Sequence, residues 1–394
     1  MRIKENLFQY IDSNRSVFVE MANNIFDNPE TAFEEFRASG LLTDRLRKKG
    51  FCVESGTGTL PTAFRAVYEN GRGGPSIGLL CEYDALPEIG HACAHHMQGP
   101  AILAAAESIK ENAGNMPFRL VVYGTPGEEG GGGKIKMLEE GCFRDIDLAL
   151  MTHGGPATQT DVKSMALSDY IVTFRGKSAH AALKPEAGRS ALDGLLLSFQ
   201  GIEFLREHVK EDTRMHYAVL NSGGPANVVP AEAAGAFALR SYNSLYLDEV
   251  AGRFEDVIKG AAMMSGTTAE VEKGRRLEGK VPAYRLNELL MMNAELIDAP
   301  NRKPAREKTG STDFGNVTFE IPGAVIRVAF VADGTPSHSQ EFLDAGKTDA
   351  AAGALVSAAK ILAATAHDLI QDPRLIEEIK EEFFETKRRL RQAR

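Results

Sequence analysis

An α/β domain interrupted by an inserted β-α-β-β-α-β domain is the architecture this sequence predicts. Three observations predict it. Short apolar runs, PSIGLLC, FRLVVY and Asp147–Met151, alternate with helical stretches, and each runs directly into polar, ligand-like residues. From about Ser168 the texture changes to strand, helix, two strands, helix and strand, the ferredoxin-like order. After about residue 280 the first texture returns. The expected boundaries are 1–167 and 281–394 for the two parts of the interrupted α/β domain and 168–280 for the insert.

Taken in order, residues from about Lys4 to Phe26 carry helical periodicity, broken at Asn28-Pro29-Glu30. TAFEEFRASGLLTDRLRKKG then reads as an amphipathic helix closed by Gly50. Strand signals follow at Thr62–Tyr68 and Ser76–Cys81, and Gly99–Glu111 is a small-residue helix suited to close packing on a sheet. FRLVVY ends in Gly124-Thr-Pro-Gly-Glu128-Glu129 and a glycine run, a turn that leads into the helix IKMLEEG. In the insert, SDYIVTFRG is a strand and Ala187–Val209 a long helix. RMHYAVLNSG and EAAGAFALRS are strands, Tyr246–Met263 is helical, and TTAEVEKG closes the set. The charged run Glu272–Lys280 reads as the return linker. Asn287–Ala299 is helical, Asn301–Gly310 polar, Ala324–Val331 a buried strand and Ala345–Leu369 a long Ala-rich helix. The charged amphipathic tail after Asp372 reads as a solvated face.

The bulk properties exclude several function classes. At 394 residues, 43% hydrophobic and 25% charged, the chain has the composition and room of two globular domains. A formal net charge of −9 argues against nucleic acid or an anionic membrane as partner. The opening MRIKENLFQYIDSNRS lacks the apolar core of a secretory signal, and no uninterrupted apolar run reaches membrane-spanning length. Four cysteines (Cys52, Cys81, Cys93, Cys142) in so long a chain outline no disulfide framework. A cytoplasmic protein is the expectation.

The chemistry concentrates after PSIGLLC, in Glu82-Tyr-Asp84-Ala-Leu-Pro87 and then Gly90-His91-Ala-Cys93-Ala-His95-His96. Open α/β sheets place ligand sites outside the carboxyl ends of their strands. In extended backbone Cys93 and His95 point the same way, and a thiolate and an imidazole converging near carboxylates are ligands for zinc or manganese-like cations. Taken alone, Cys93 is as well explained as a buried small hydrophobe. Three successive strands, however, end in candidate ligands: the Cys/His pair, the Glu128–Glu129 pair and His153. The glycine run is not a phosphate loop. The glycine that motif needs is Glu128 here, and Ile135 follows Lys134 where Ser or Thr belongs.

EYDALP, GHACAH, the Glu-Glu before the glycine run, THGGP, GKSAHAA, NVVP and HSQEF occur in that order. Together they resemble the metal-dependent amidohydrolases of the hippurate hydrolase and aminoacyl-auxin-conjugate hydrolase type, grouped with aminoacylase and carboxypeptidase G in one peptidase superfamily. GSTDFGNV is similar to the aminobenzoyl-glutamate hydrolase and dipeptidase-like branch. The resemblance spans roughly Asn28 to Gly346. It implies a mixed-sheet, metallopeptidase-like catalytic domain with a dimerising lid, hence a homodimer. It implies metal ligands at Cys93, His95, Glu129, His153 and His338, with Glu128 as general base. His180 is implied to reach across the dimer to the tetrahedral oxyanion, and Asn227 and Arg240 to bind the substrate's carbonyl and carboxylate. The plainer alternatives are a turn Asn and a surface Arg.

Amide hydrolysis at neutral pH needs an activated water and a polarised carbonyl, which two divalent ions about 3.5–4 Å apart can supply. Manganese or zinc is expected, with cobalt or nickel as further options. Neighbouring side chains on a rigid turn are expected to diverge, which leaves Glu128 to take the water's proton and deliver it to the leaving amine. Asp84 fits the holding of a ligand imidazole in one tautomer; its alternative is a turn cap. Where relatives have Gly-His-Asp or Gly-His-Asn, this chain has Ala94-His95-His96, so His96 is expected to touch substrate or alter metal preference. The expected substrate is an N-acyl or N-aroyl amino acid, or a dipeptide-like compound with a free carboxylate. The rival readings are a hydrolytic deaminase of an aromatic amine and a non-catalytic metal-binding relative.

Overall fold

The computed structural model describes residues 2–392. The described residues divide into two compact units, one comprising residues 2–163 together with Val281–Lys387, the other Ser164–Lys280 with residues 388–392. In chain order the strands are β1 (Cys52–Ser55), β2 (Phe64–Asn70), β3 (Ser76–Cys81), β4 (Phe118–Gly124), β5 (Leu148–Gly155), β6 (Gln159–Ser164), β7 (Ala166–Arg175), β8 (Arg214–Asn221), β9 (Glu232–Ser241), β10 (Thr268–Leu277), β11 (Arg306–Thr309) and β12 (Gly323–Ala329).

The first unit carries an eight-stranded sheet in the order β1-β2-β4-β3-β5-β12-β6-β11. Its centre, β4-β3-β5-β12, is parallel, whereas β1, β2 and β6 join antiparallel, so the sheet is mixed. Both faces are covered. On β3, Ile77, Leu79 and Cys81 enter the larger core while Leu80 enters a second one; on β4, Leu120 and Val122 face the first and Val121 and Tyr123 the second. Burial on both faces is the reason these strands read as unbroken apolar runs. The helices Gln98–Glu111 and Asp349–Gln371 lie in the larger core. The latter is long and apolar enough to cross a membrane, and 67% of its apolar window is buried inside the fold.

The second unit has the order β7, helix Ala191–Arg206, β8, β9, helix Ser244–Ser265, β10, with an antiparallel sheet β10-β7-β9-β8. Alternate residues of β7 (Tyr170, Val172, Phe174) pack with both helices in one core, while Ile171 points to solvent.

Several sequence expectations need correction. The first helical stretch is two helices, Arg2–Ser13 and Arg15–Asp27, broken at Asn14. The next helix begins only at Phe36, because Phe33 takes a left-handed φ of 67°. The presumed linker Glu272–Lys280 is mostly strand: β10 continues to Leu277 through a bulge between Lys273 and Arg276. It is an edge strand with charged side chains in solvent, a composition that protects an edge while resembling a linker. β1, β6 and β11 had no sequence signal, being short and polar.

Candidate metal centre

The parallel strands deliver their functional residues at their carboxyl ends. Glu82 and Asp84 follow β3 directly, Glu128 and Glu129 lie in the turn after β4, His153 is near the end of β5, and His338 follows β12. Cys93 and His95 are not on extended backbone as expected. They flank Ala94, whose φ of 63° turns the chain into the single helical turn His95–Met97. The ligand atoms converge even so. Those of Cys93, His95 and His153 lie within 4.8 Å of one another, and so do those of Cys93, Glu129 and His338. Cys93 Sγ is 3.5 Å from His153 Nε2, and His338 Nε2 is 3.3 Å from Glu129 Oε1. His95 Nε2 and Glu129 Oε1 are buried without a hydrogen-bond partner among the described residues. Buried polar atoms are rarely left so, and a cation is what a thiol, imidazoles and carboxylates aimed inward would satisfy. These five residues therefore fit a pair of divalent ions.

Asp84 ties the two ligand loops together. Its Oδ1 is 3.1 Å from His95 Nδ1, and its Oδ2 accepts the Glu129 N–H at 2.9 Å. An asparagine has one acceptor for these two contacts, so Asp84→Asn should lower metal affinity by roughly 10–100-fold. Competition against a chromogenic chelator measures it; an affinity within threefold of wild type would remove Asp84 from this role.

The imidazoles are tuned in opposite directions. Burial, then the Arg327 guanidinium 3.1 Å from its Nδ1, pushes His153 down to about 3, so its ring is neutral. Burial works against charge on His95 too, but Cys93, Glu82 and Asp84 together hold it well above its usual value. Burial, reinforced by Glu129 and Glu128, lifts the Cys93 thiol to about 12 against the opposing pull of His95. A bound cation favours thiolate and neutral imidazole, so loading the site releases protons.

Glu128 and Glu129 do not diverge as expected: both bring a carboxylate oxygen within 4.8 Å of a His95 nitrogen and of each other. Glu128 also meets Glu82 and Asp313. Burial first, then the charges of Glu82 and Asp313, raises Glu128 to about 8.

Five residues without an assigned role in the sequence reading organise this corner: Lys134, Glu82, Asp313, Gln98 and Glu35. Lys134 is fully buried, its Nζ 2.6 Å from Glu82 Oε1 and 2.7 Å from Asp313 Oδ1, while Asp313 Oδ2 accepts the Lys134 N–H. Glu82 is also held by Gln98, whose Nε2 donates to its Oε2 at 2.7 Å. Glu35 supports the turn from the other side. It accepts the Gly127 N–H at 2.9 Å and the Thr62 hydroxyl at 2.8 Å, and burial lifts it to about 7. The turn itself requires glycine at Gly133, where a Cβ would sit 1.9 Å from the Pro126 carbonyl oxygen.

His96 is a correction. It does not face the ligands or line their cleft: it is fully buried, with Nε2 2.8 Å from the Gly346 carbonyl and the Phe26 ring edge-on at 4.8 Å. The helical turn that aims His95 inward turns its neighbour away. The remaining predicted residues belong to the second unit. Exposed His180 bridges to Val228, and the Ala181 N–H donates to the Asn227 carbonyl at 3.1 Å, so those two segments lie side by side. Arg240 lies on β9, opposite Leu167 of β7 and Arg214 of β8.

The sequence pattern of peptidase family M20/M25/M40 matches residues 80–368. The chain belongs to that family and is a metal-dependent amidohydrolase. It is 32% identical to a p-aminobenzoyl-glutamate hydrolase subunit of Escherichia coli, over 96% of this chain and 95% of that protein. It is 31% identical to the Xaa-Arg dipeptidase of Mus musculus, over 97% and 92%. Among solved structures, a dinuclear metal-binding M20 peptidase of Bacillus subtilis superposes with a TM-score of 0.72 at 17% identity, covering 91% of this chain and 99% of the other. The resemblance drawn from the ordered motifs is the one these comparisons find.

Proposed function

We propose that the protein hydrolyses the amide bond of an N-acyl or N-aroyl amino acid, or of a dipeptide-like compound, with Glu128 as general base. What carries the reading is the convergence of Cys93, His95, Glu129, His153 and His338 beside the Glu128 carboxyl, which burial and like charge dispose to hold a proton. A pair of divalent ions, manganese or zinc, would supply Lewis acidity and lower the pKa of the attacking water. Glu128 takes that water's proton and passes it to the departing amine. Asp84 keeps His95 oriented, and burial together with the Arg327 guanidinium keeps His153 unprotonated. His180, Asn227 and Arg240 are proposed for the oxyanion, the carbonyl and the carboxylate of the substrate, and the second unit for a lid. Support for these comes from the motif resemblance.

Relatives named for aminobenzoyl-glutamate and for Xaa-Arg dipeptides favour amide hydrolysis over deamination. His96, the residue that kept the deaminase open, is turned onto Gly346. A homodimer through the second unit is favoured by β8, an edge strand whose Tyr217, Val219 and Leu220 are exposed. A cytoplasmic location accords with four free cysteines.

The test is amine release from N-acyl amino acids, dipeptides and aromatic amines with manganese or zinc supplied. Amino acid released by wild type is the expected result. Free ammonia from an aromatic amine would replace the reading with the deaminase, and silence with metal bound would favour the non-catalytic relative.

A further inference from the structure

Four adjacent strands of the first unit, β5-β12-β6-β11, each place one polar residue in a row that starts at a metal ligand. His153 stands opposite Arg327 in the parallel register of β5 and β12, with Arg327 Nη1 3.1 Å from its Nδ1. Arg327 Nε donates to Asp161 Oδ2 on β6 at 3.0 Å. Arg306 on β11 grips the same carboxylate with two bonds, Nε to Oδ1 at 2.8 Å and Nη2 to Oδ2 at 3.1 Å. Two guanidiniums thus share one carboxylate, and the trio keeps one net positive charge. Asp161 is nearly buried, at 6% side-chain exposure, and both of its oxygens accept from these guanidiniums. Arg306 is 37% exposed, and neither its Nη1 nor Arg327 Nη2 has a hydrogen-bond partner among the described residues.

All three residues line the cleft that holds Cys93, Glu128 and His153, whose volume is about 320 Å³, the lower end of the range for small-molecule sites. A guanidinium fixed by a bidentate partner presents its remaining donors in a set direction, the arrangement suited to a planar carboxylate.

We propose that Arg306, positioned by Asp161 and backed by Arg327, is an anion subsite, and that the preferred substrates carry a second carboxylate, as derivatives of an acidic amino acid do. This rests on the amide-hydrolase reading above and narrows it: a basic side chain meets like charge here, and a neutral one leaves the free donors unpaired. Arg327 also adjoins a metal ligand, so Arg306 is the residue to change.

The metal-loaded protein, wild type, Arg306→Met and Arg306→Lys, is assayed for kcat/KM on N-benzoyl-glutamate, N-benzoyl-leucine and N-benzoyl-arginine. Wild type should favour the glutamate derivative over leucine at least tenfold, with arginine slowest. Arg306→Met should shrink the glutamate-to-leucine ratio at least tenfold, mainly through KM, and Arg306→Lys should restore part of it. Calorimetry with glutarate and butyrate gives a second readout. Each offers one carboxylate to the metal pair, and only glutarate has another for Arg306. Tighter glutarate binding that Arg306→Met abolishes is expected. Equal binding of the two acids, or a variant that slows all three amides alike, overturns the subsite even if amides are cleaved. A glutarate preference in a protein that cleaves no amide would keep the subsite and sink the hydrolase reading.

Discussion

Replacing Glu128 with Ala should leave the metal ions bound and lower kcat by roughly 10²–10⁴-fold, the range that positioned proton transfer contributes. The expectation rests on where the carboxyl sits. It is near His95 and Glu129 and also near Glu82 and Asp313, so burial and like charge both favour its holding a proton. A group that holds a proton readily suits both halves of the task, taking it from water and returning it to the amine. Metal content by elemental analysis and kcat on the best substrate of the panel check the two parts separately. Loss of metal along with activity would make Glu128 a ligand; near-normal kcat would remove it from the chemistry. The same geometry predicts no loss of folding stability. One carboxyl fewer around a single buried ammonium relieves repulsion, so the variant's melting temperature should equal or exceed that of wild type.

Lys134→Met should be the most destabilising single change at the site, by about 3–5 kcal/mol, the cost of leaving buried partner charges uncompensated. Lys134 is the cation that Glu82 and Asp313 share, and all three are buried. Without it two carboxylates face each other beside a third at Glu128. Denaturant unfolding monitored by circular dichroism measures the loss, and a cost below about 1 kcal/mol would show the ammonium to be dispensable. Adding Asp313→Asn to Lys134→Met should return part of the stability, because it removes one stranded charge. A double variant no better than the single one would show that packing, not charge, sets the cost.

Much of this was legible in the chain itself. β3, β4 and β5 are short apolar runs because both of their faces are buried, and the residues just beyond each run are the ones that converge. The order of the motifs identified the family. The βαββαβ rhythm of the insert was readable from alternating apolar residues such as Tyr170, Val172 and Phe174. Short polar strands were not. β6 and β11 lie toward one edge of the sheet, and their pairing is decided by neighbours distant in sequence: Thr160 of β6 lies opposite Ile326. Glu272–Lys280 was misread for the related reason that a protected edge strand and a linker have the same composition.

By itself, then, the sequence determined which residue types arrive at the strand ends, because that depends on local periodicity and on the residues next in line after each apolar run. Only the tertiary structure decided what those residues face. Lys134 finds its partners 52 and 179 positions away, so no local pattern could mark it as buried. His96 follows the proposed ligand His95 directly, yet one helical turn sends it to a carbonyl 250 positions distant. The row from His153 to Arg306 exists because the sheet order β5-β12-β6-β11 sets side by side strands that do not follow one another in the chain. Charge environment is a property of neighbours in space, and those neighbours are fixed by packing.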